Sequence, residues 1–134
     1  MKKVFILLLL LIGITVFSQD YHFKYRKESI TYRMQNGQTG SKQLSNESGD
    51  YLFRYENTYS KGKYEKIFTV YKNGQESFYC VETSNKGNVE INGTIFQQSS
   101  FFHTGTSEVI NVFFSLDYNR IVIMDLEGTA EYYN

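Results

Sequence analysis

The sequence predicts an all-β domain: a single antiparallel meander of about eight to ten short strands forming a small barrel or sandwich, behind a cleaved N-terminal leader. Three observations carry this expectation. From residue 21 onward the apolar residues recur with a period of two, the spacing that sends alternate side chains to opposite faces of a strand. Asparagine- and glycine-centred turns punctuate the alternating runs. The first eighteen residues have the composition of an export signal instead of a structural element.

In that leader a basic start at Lys2 and Lys3 runs into an apolar stretch from Val4 to Phe17, and Val16 and Ser18 occupy the minus-three and minus-one positions of a cleavage site before Gln19. Fourteen residues make about 21 Å of helix, short of the roughly 30 Å needed to cross hydrocarbon. The one cysteine, Cys80, lies mid-chain, so no lipidation site follows the cleavage point. The expected organisation is a signal peptide over residues 1–18 and one domain over residues 19–134, located in a periplasm or outside the cell, with no stable membrane span once the leader is removed.

The 116 residues that remain of the 134 suit a single domain, which at that size buries roughly 65 per cent of its unfolded surface. With Lys2 and Lys3 gone, the 14 basic residues fall to 12 against 14 acidic, a balance that gives nucleic acid no purchase. A lone cysteine forms no internal disulfide, so the core must hold unaided. Twenty-one tyrosines and phenylalanines outside the leader supply the material for it. Cys80, in the run Phe78-Tyr79-Cys80-Val81, reads as a buried, inert thiol.

Tyr21, Phe23 and Tyr25 alternate with polar residues, then Ile30, Tyr32 and Met34 do so on the other parity. Either a two-residue turn at Lys27-Glu28 or a β-bulge in one long bent strand accounts for the flip. Residues 36–50 are polar and glycine-dotted and read as a fifteen-residue loop. Tyr51, Phe53, Tyr55 and Tyr59 form a further half-buried face, interrupted by Asn57. Asn73-Gly74 is a type I′ hairpin signal joining 64–72 to 75–83, a register that pairs Phe68 with Tyr79, Ile67 with Cys80 and, unfavourably, Glu65 with Glu82. Turns are also expected at Asn85–Asn88, Asn92-Gly93, Asp117–Asn119 and Glu127-Gly128. The runs Val109–Leu116 and Arg120–Leu126 are apolar on both parities and are expected centrally in the sheet, with the charged early strands nearer an edge.

Catalytic patterns are missing. His22 and His103 stand apart with no metal-ligand spacing, and phosphate-binding glycine loops, a nucleophile elbow and a complete calcium loop are all absent from the sequence. No cofactor and no metal is expected. Ser99, Ser100 and His103, and the carboxylates Asp50, Glu76, Glu82, Glu90, Asp117 and Asp125, remain the raw material of a small secreted hydrolase as an alternative. Residues 97–107 place Phe101, Phe102 and His103 among small polar loop formers, and these three with Tyr51 and Tyr55 are the candidate contact residues. The function expected is a non-catalytic binding or interaction module that uses aromatic side chains on a small apolar ligand, a glycan or a protein; a subunit of a cell-surface assembly is the third reading. Intact mass of the exported protein is expected to show a chain beginning at Gln19, and retention of Met1 overturns the leader.

Overall fold

The computed structural model describes residues 17–60, 62–126 and 128–134, with all of their side chains except those of Phe17 and Ser60. Residues 1–16 of the expected leader lie outside that set, while Phe17 and Ser18 open the first strand opposite Asn57 and Glu56. Eight strands follow in chain order: β1 (Phe17–Arg33), β2 (Thr39–Ser60), β3 (Lys63–Lys72), β4 (Gln75–Ile91), β5 (Thr94–His103), β6 (Glu108–Ser115), β7 (Arg120–Met124) and β8 (Thr129–Tyr133). Each pairs antiparallel with the next, and β8 returns to β1, so one sheet closes into a ring. The placement of β6 and β7 at a sheet centre with charged strands at an edge is therefore corrected. A ring has neither, and the doubly apolar runs reflect burial of Phe113, on the opposite parity from Ile110, Val112 and Phe114.

The two hairpin signals with Asn-Gly are satisfied in detail. Asn73 and Asn92 take φ of 50° and the glycines after them 80°, the left-handed pair a type I′ turn demands. Lys27-Glu28, without such residues, makes no turn. β1 instead runs on with register irregularities against β2 between Phe23 and Tyr25 and between Glu28 and Ser29, the bulged alternative. The first irregularity explains the parity flip. Phe23 is buried, Tyr25 is 40% exposed, and Arg26 takes the inward register opposite Tyr132.

Two expected loops are strand. Residues 39–50 pair with the second half of β1, leaving 34–38 as the only turn residues there, because polar side chains alternate acceptably on a ribbon open to water. Asn85–Asn88 is a bulge within β4: Gly87, at φ 80°, donates its amide to Asn85 Oδ1 at 2.8 Å while pairing with β5 continues on both sides.

A further bulge, between Val70 and Tyr71, slips the β3–β4 hairpin by one residue from the simple register. Phe68 thus faces Cys80 and Ile67 faces Val81. The slip also moves Glu82 from Glu65 to Lys66, whose amine lies 3.8 Å from its carboxylate. Repulsion between like charges becomes attraction, and Cys80 is carried to the inner face.

The core is a stack of aromatic rings inside the ring of strands. Phe23, Tyr51, Phe53, Phe68, Phe101, Ile121 and Tyr132 are all 3% exposed or less. Their contacts are mostly edge-to-face, with Phe53 on Tyr132 and Phe68 on Phe101 both at 4.6 Å between centroids and 76° between planes. This is the arrangement aromatic quadrupoles favour. Closure onto β1 needs Gly128, where a Cβ would meet the Ser29 carbonyl oxygen at 2.4 Å. At the other end of β8, the Asn134 side chain prolongs the ladder as a peptide group would, accepting from the Lys24 amide and donating to the His22 carbonyl, each at 3.1 Å.

Truncating Phe68, fully buried among these rings, to alanine is expected to lower the free energy of unfolding by about 3–5 kcal/mol. Tyr64→Ala, at an 81% exposed position, is expected to stay within about 0.5 kcal/mol. Urea denaturation compares the two, and equal costs would mean the rings do not form the core.

Candidate functional site

An eight-stranded ring is wide enough in the middle for its own side chains and little more. The aromatic stack fills that middle and leaves a recess at each end. The upper end, where the β2–β3, β4–β5 and β6–β7 turns meet the start of β1, holds a half-open cavity of about 110 Å³. Its walls are Gln19 and Tyr21 from β1, Tyr55 from β2, Lys66 from β3, Gln97 and Ser99 from β5, Phe114 from β6 and Tyr118 from the β6–β7 turn.

β8 ends opposite Tyr25, so the first half of β1 has no strand beside it on that side among the described residues. Tyr21 and Tyr118 bridge the seam by stacking at 5.1 Å and 18°. Tyr118 holds its place with φ at 58°, a backbone region a bulky residue seldom adopts, within a turn fixed by its amide on the Ser115 carbonyl at 2.9 Å. Tyr21 also donates its hydroxyl to Gln19 Oε1 at 2.7 Å. Burial raises the Tyr21 and Tyr55 phenols above their ordinary pKa, and the Glu82 carboxylate adds to the rise at Tyr55, so both stay protonated donors.

Lys66, the cavity's ammonium, has the Glu82 carboxylate 3.8 Å away. The carboxylate is only 12% exposed, and its Oε1 is buried with no hydrogen-bond partner among them. An unmatched buried carboxylate oxygen is costly and calls for a physical reason.

The lower end holds a larger recess of about 290 Å³, with Ile30, Leu44, Ile123 and Ala130 as apolar walls and Arg26, Glu28 and Asp125 as charged ones. Arg26 is tied down on two sides. It is ion-paired with Glu28, and its Nε donates to the Tyr132 hydroxyl at 3.0 Å. The guanidinium in turn holds the Glu28 carboxyl below the usual carboxylate range. Those contacts occupy the pair with itself and close off the core below it.

The candidate residues scatter. Tyr55 lines the upper cavity. Tyr51 and Phe101 are 1% and 0% exposed and belong to the core. Phe102, 38% exposed, faces outward in register with Val81 and Val109. His103 stacks on Phe78 at 4.7 Å, and its Nδ1 accepts the amides of Gly105 and Thr106, both at 3.1 Å, as the cap of the β5–β6 turn. The segment 97–107, expected as a loop, is strand through His103, so neighbours in sequence point to opposite faces.

The same alternation separates the serine and histidine groups. Ser100 faces away from the interior and donates to Asn111 Oδ1 at 3.1 Å, while Ser99 and His103 share a face about 13 Å apart along the strand. Of the six carboxylates, Glu82 stands at the upper end and Asp125 at the lower, and the other four are exposed. Asp20 is taken by Arg54 in two hydrogen bonds of 3.0 and 3.2 Å. Among the described residues no three histidine, cysteine or acidic side chains cluster as metal ligands would, and no helix is long and apolar enough to cross a membrane. Sequence reasoning missed Gln19, Tyr21, Lys66, Glu82 and Tyr118 as a group, since they come from three strands and a turn.

Comparison with known protein families, curated proteins and solved structures found no match to this chain.

Cys80 is 0% exposed against Phe68, and burial pushes its thiol up to about 12. An unfolded thiol ionises near 8.5, so above that pH the unfolded chain releases a proton the folded one keeps, and stability falls as pH rises toward 12. The native protein is expected to resist thiol reagents at pH 8 and to react once unfolded. Cys80→Ala is expected to flatten that part of the stability profile, and fast native labelling would contradict the burial.

Proposed function

We propose that this chain is an exported, non-catalytic binding module with a barrel architecture, taking a small ligand at the upper end of its ring. What supports the reading above all is the combination at that end: a half-open cavity edged by the Tyr21–Tyr118 stack, with the half-satisfied Glu82 carboxylate beside it. Pockets that combine apolar ring faces with a few convergent polar groups are the usual form of a small-molecule site. Export rests on the leader composition alone.

Native mass spectrometry and NMR titration of the purified protein against lipid, glycan and small-metabolite sets at millimolar concentration test the proposal. Binding is expected to perturb Gln19, Tyr21 and Tyr118. No ligand from any set, or perturbation confined to the outer strand faces, would falsify it.

A second reading draws on the outer face. Ile67, Val81, Phe102 and Val109 lie in one register line across β3, β4, β5 and β6, with Phe102 38% and Val109 58% exposed. Such a stripe suits self-association as part of a surface assembly. Light scattering separates the two: a monomer at working concentration removes the assembly, and a concentration-dependent oligomer that Val109→Lys abolishes supports it.

A further inference from the structure

We infer that the upper cavity is a carbohydrate site, built for the terminal ring of a neutral glycan; this rests on the binding reading above and specifies the ligand class for the same site. The argument is one of elimination among chemistries. An apolar ligand would seal off Gln19, Gln97 and Ser99, which all line the cavity, and would leave their amides and hydroxyl without water or partner. An anionic ligand needs an uncompensated cation, whereas the one ammonium of the cavity, Lys66, already has the Glu82 carboxylate 3.8 Å away. The local charge is balanced, and a second carboxylate or a phosphate would be repelled by Glu82 as it approached Lys66.

A neutral sugar satisfies both conditions. Its hydroxyls donate and accept, as do the carboxamides and hydroxyl they would meet. Its ring also carries an apolar C–H face that sits against an aromatic plane. The Tyr21–Tyr118 stack supplies such a plane at the lip of the cavity. Tyr118 is presented there from a left-handed backbone, φ 58°, that a glycine would occupy without strain. That ring covers the seam against Tyr21 and at the same time stands at the edge of a polar cavity, where the C–H face of a sugar meets it. The cavity, about 110 Å³ and open on one side, admits one ring end-on while the rest of a chain extends into solvent.

The experiment titrates the purified full chain, followed by NMR, with cellobiose, maltose and N-acetyllactosamine as neutral probes, glucuronate as the acidic probe and decanoate as the apolar one. The expected result is saturable binding of at least one neutral disaccharide with shifts at Gln19, Tyr21 and Tyr118, and no saturation by glucuronate or decanoate. Tyr118→Gly, which relieves the backbone while giving up the stack on Tyr21, is expected to stay folded with a cooperative melting transition and to weaken the neutral sugar about tenfold. Glu82→Gln, which leaves Lys66 uncompensated, is expected to strengthen glucuronate about tenfold. Glucuronate or decanoate saturating the wild-type cavity, with neutral sugars excluded, overturns the carbohydrate assignment and keeps the binding reading. Silence from every probe here and in the wider screen overturns both. Sugar binding that Tyr118→Gly leaves untouched overturns the role given to the aromatic lip.

Discussion

Closing eight strands into a ring leaves a bore whose width is set by geometry, and this chain meets it with rings of its own. Phe53, Phe68, Phe101 and Tyr132 meet edge-on at the waist, each nearly excluded from water. With no disulfide among the described residues and one buried thiol, that interlock is the main source of cohesion between opposite walls. The placement of everything else follows from it. Side chains that reach inward above or below the aromatic layer find unfilled space, and the polar ones among them become the walls of the two recesses.

The bulges are what allow the interlock. A strict two-residue alternation along β1 would carry Tyr25 inward where Arg26 now meets Tyr132, and an unslipped β3–β4 hairpin would set Glu82 against Glu65. Each bulge costs a ladder hydrogen bond and gains a change of face for all residues beyond it. The upper cavity depends on this: the Val70–Tyr71 shift is what brings Lys66 and Glu82 into contact, and so what makes that end electrically balanced. The shortness of β8 matters equally, since the strand stops at Tyr133 and hands its last backbone contacts to the Asn134 side chain, leaving the seam that Tyr21 and Tyr118 cover.

The two recesses differ in kind. The lower one is the larger, yet its ion pair is internally satisfied, with Glu28 and Tyr132 engaging Arg26. The upper one is smaller and carries an unmatched carboxylate oxygen and a strained aromatic residue at its lip. Unsatisfied polarity and stored backbone strain persist where another requirement holds them in place, which directs attention to the upper end despite its size.

Period-two alternation and turn chemistry belong to local stretches of chain, so the all-β class, the meander order and the Asn73-Gly74 and Asn92-Gly93 hairpins could be read directly from the residues. The bend in β1 was half legible, because a parity flip without turn formers leaves a bulge as the remaining option. Residues 39–50 read as a loop because an exposed ribbon needs no apolar face, and residues 97–107 because glutamine and serine pairs carry no period to follow. Bulge positions, ring closure and the company each side chain keeps are decided by contacts between residues tens of positions apart. Tyr21 meets Tyr118, Lys66 meets Glu82 and Arg26 meets Tyr132 only once the sheet has closed. Local chemistry determined which segments become strands; the energy of filling a bore of fixed width decided which faces turn inward, and with them where a ligand has room.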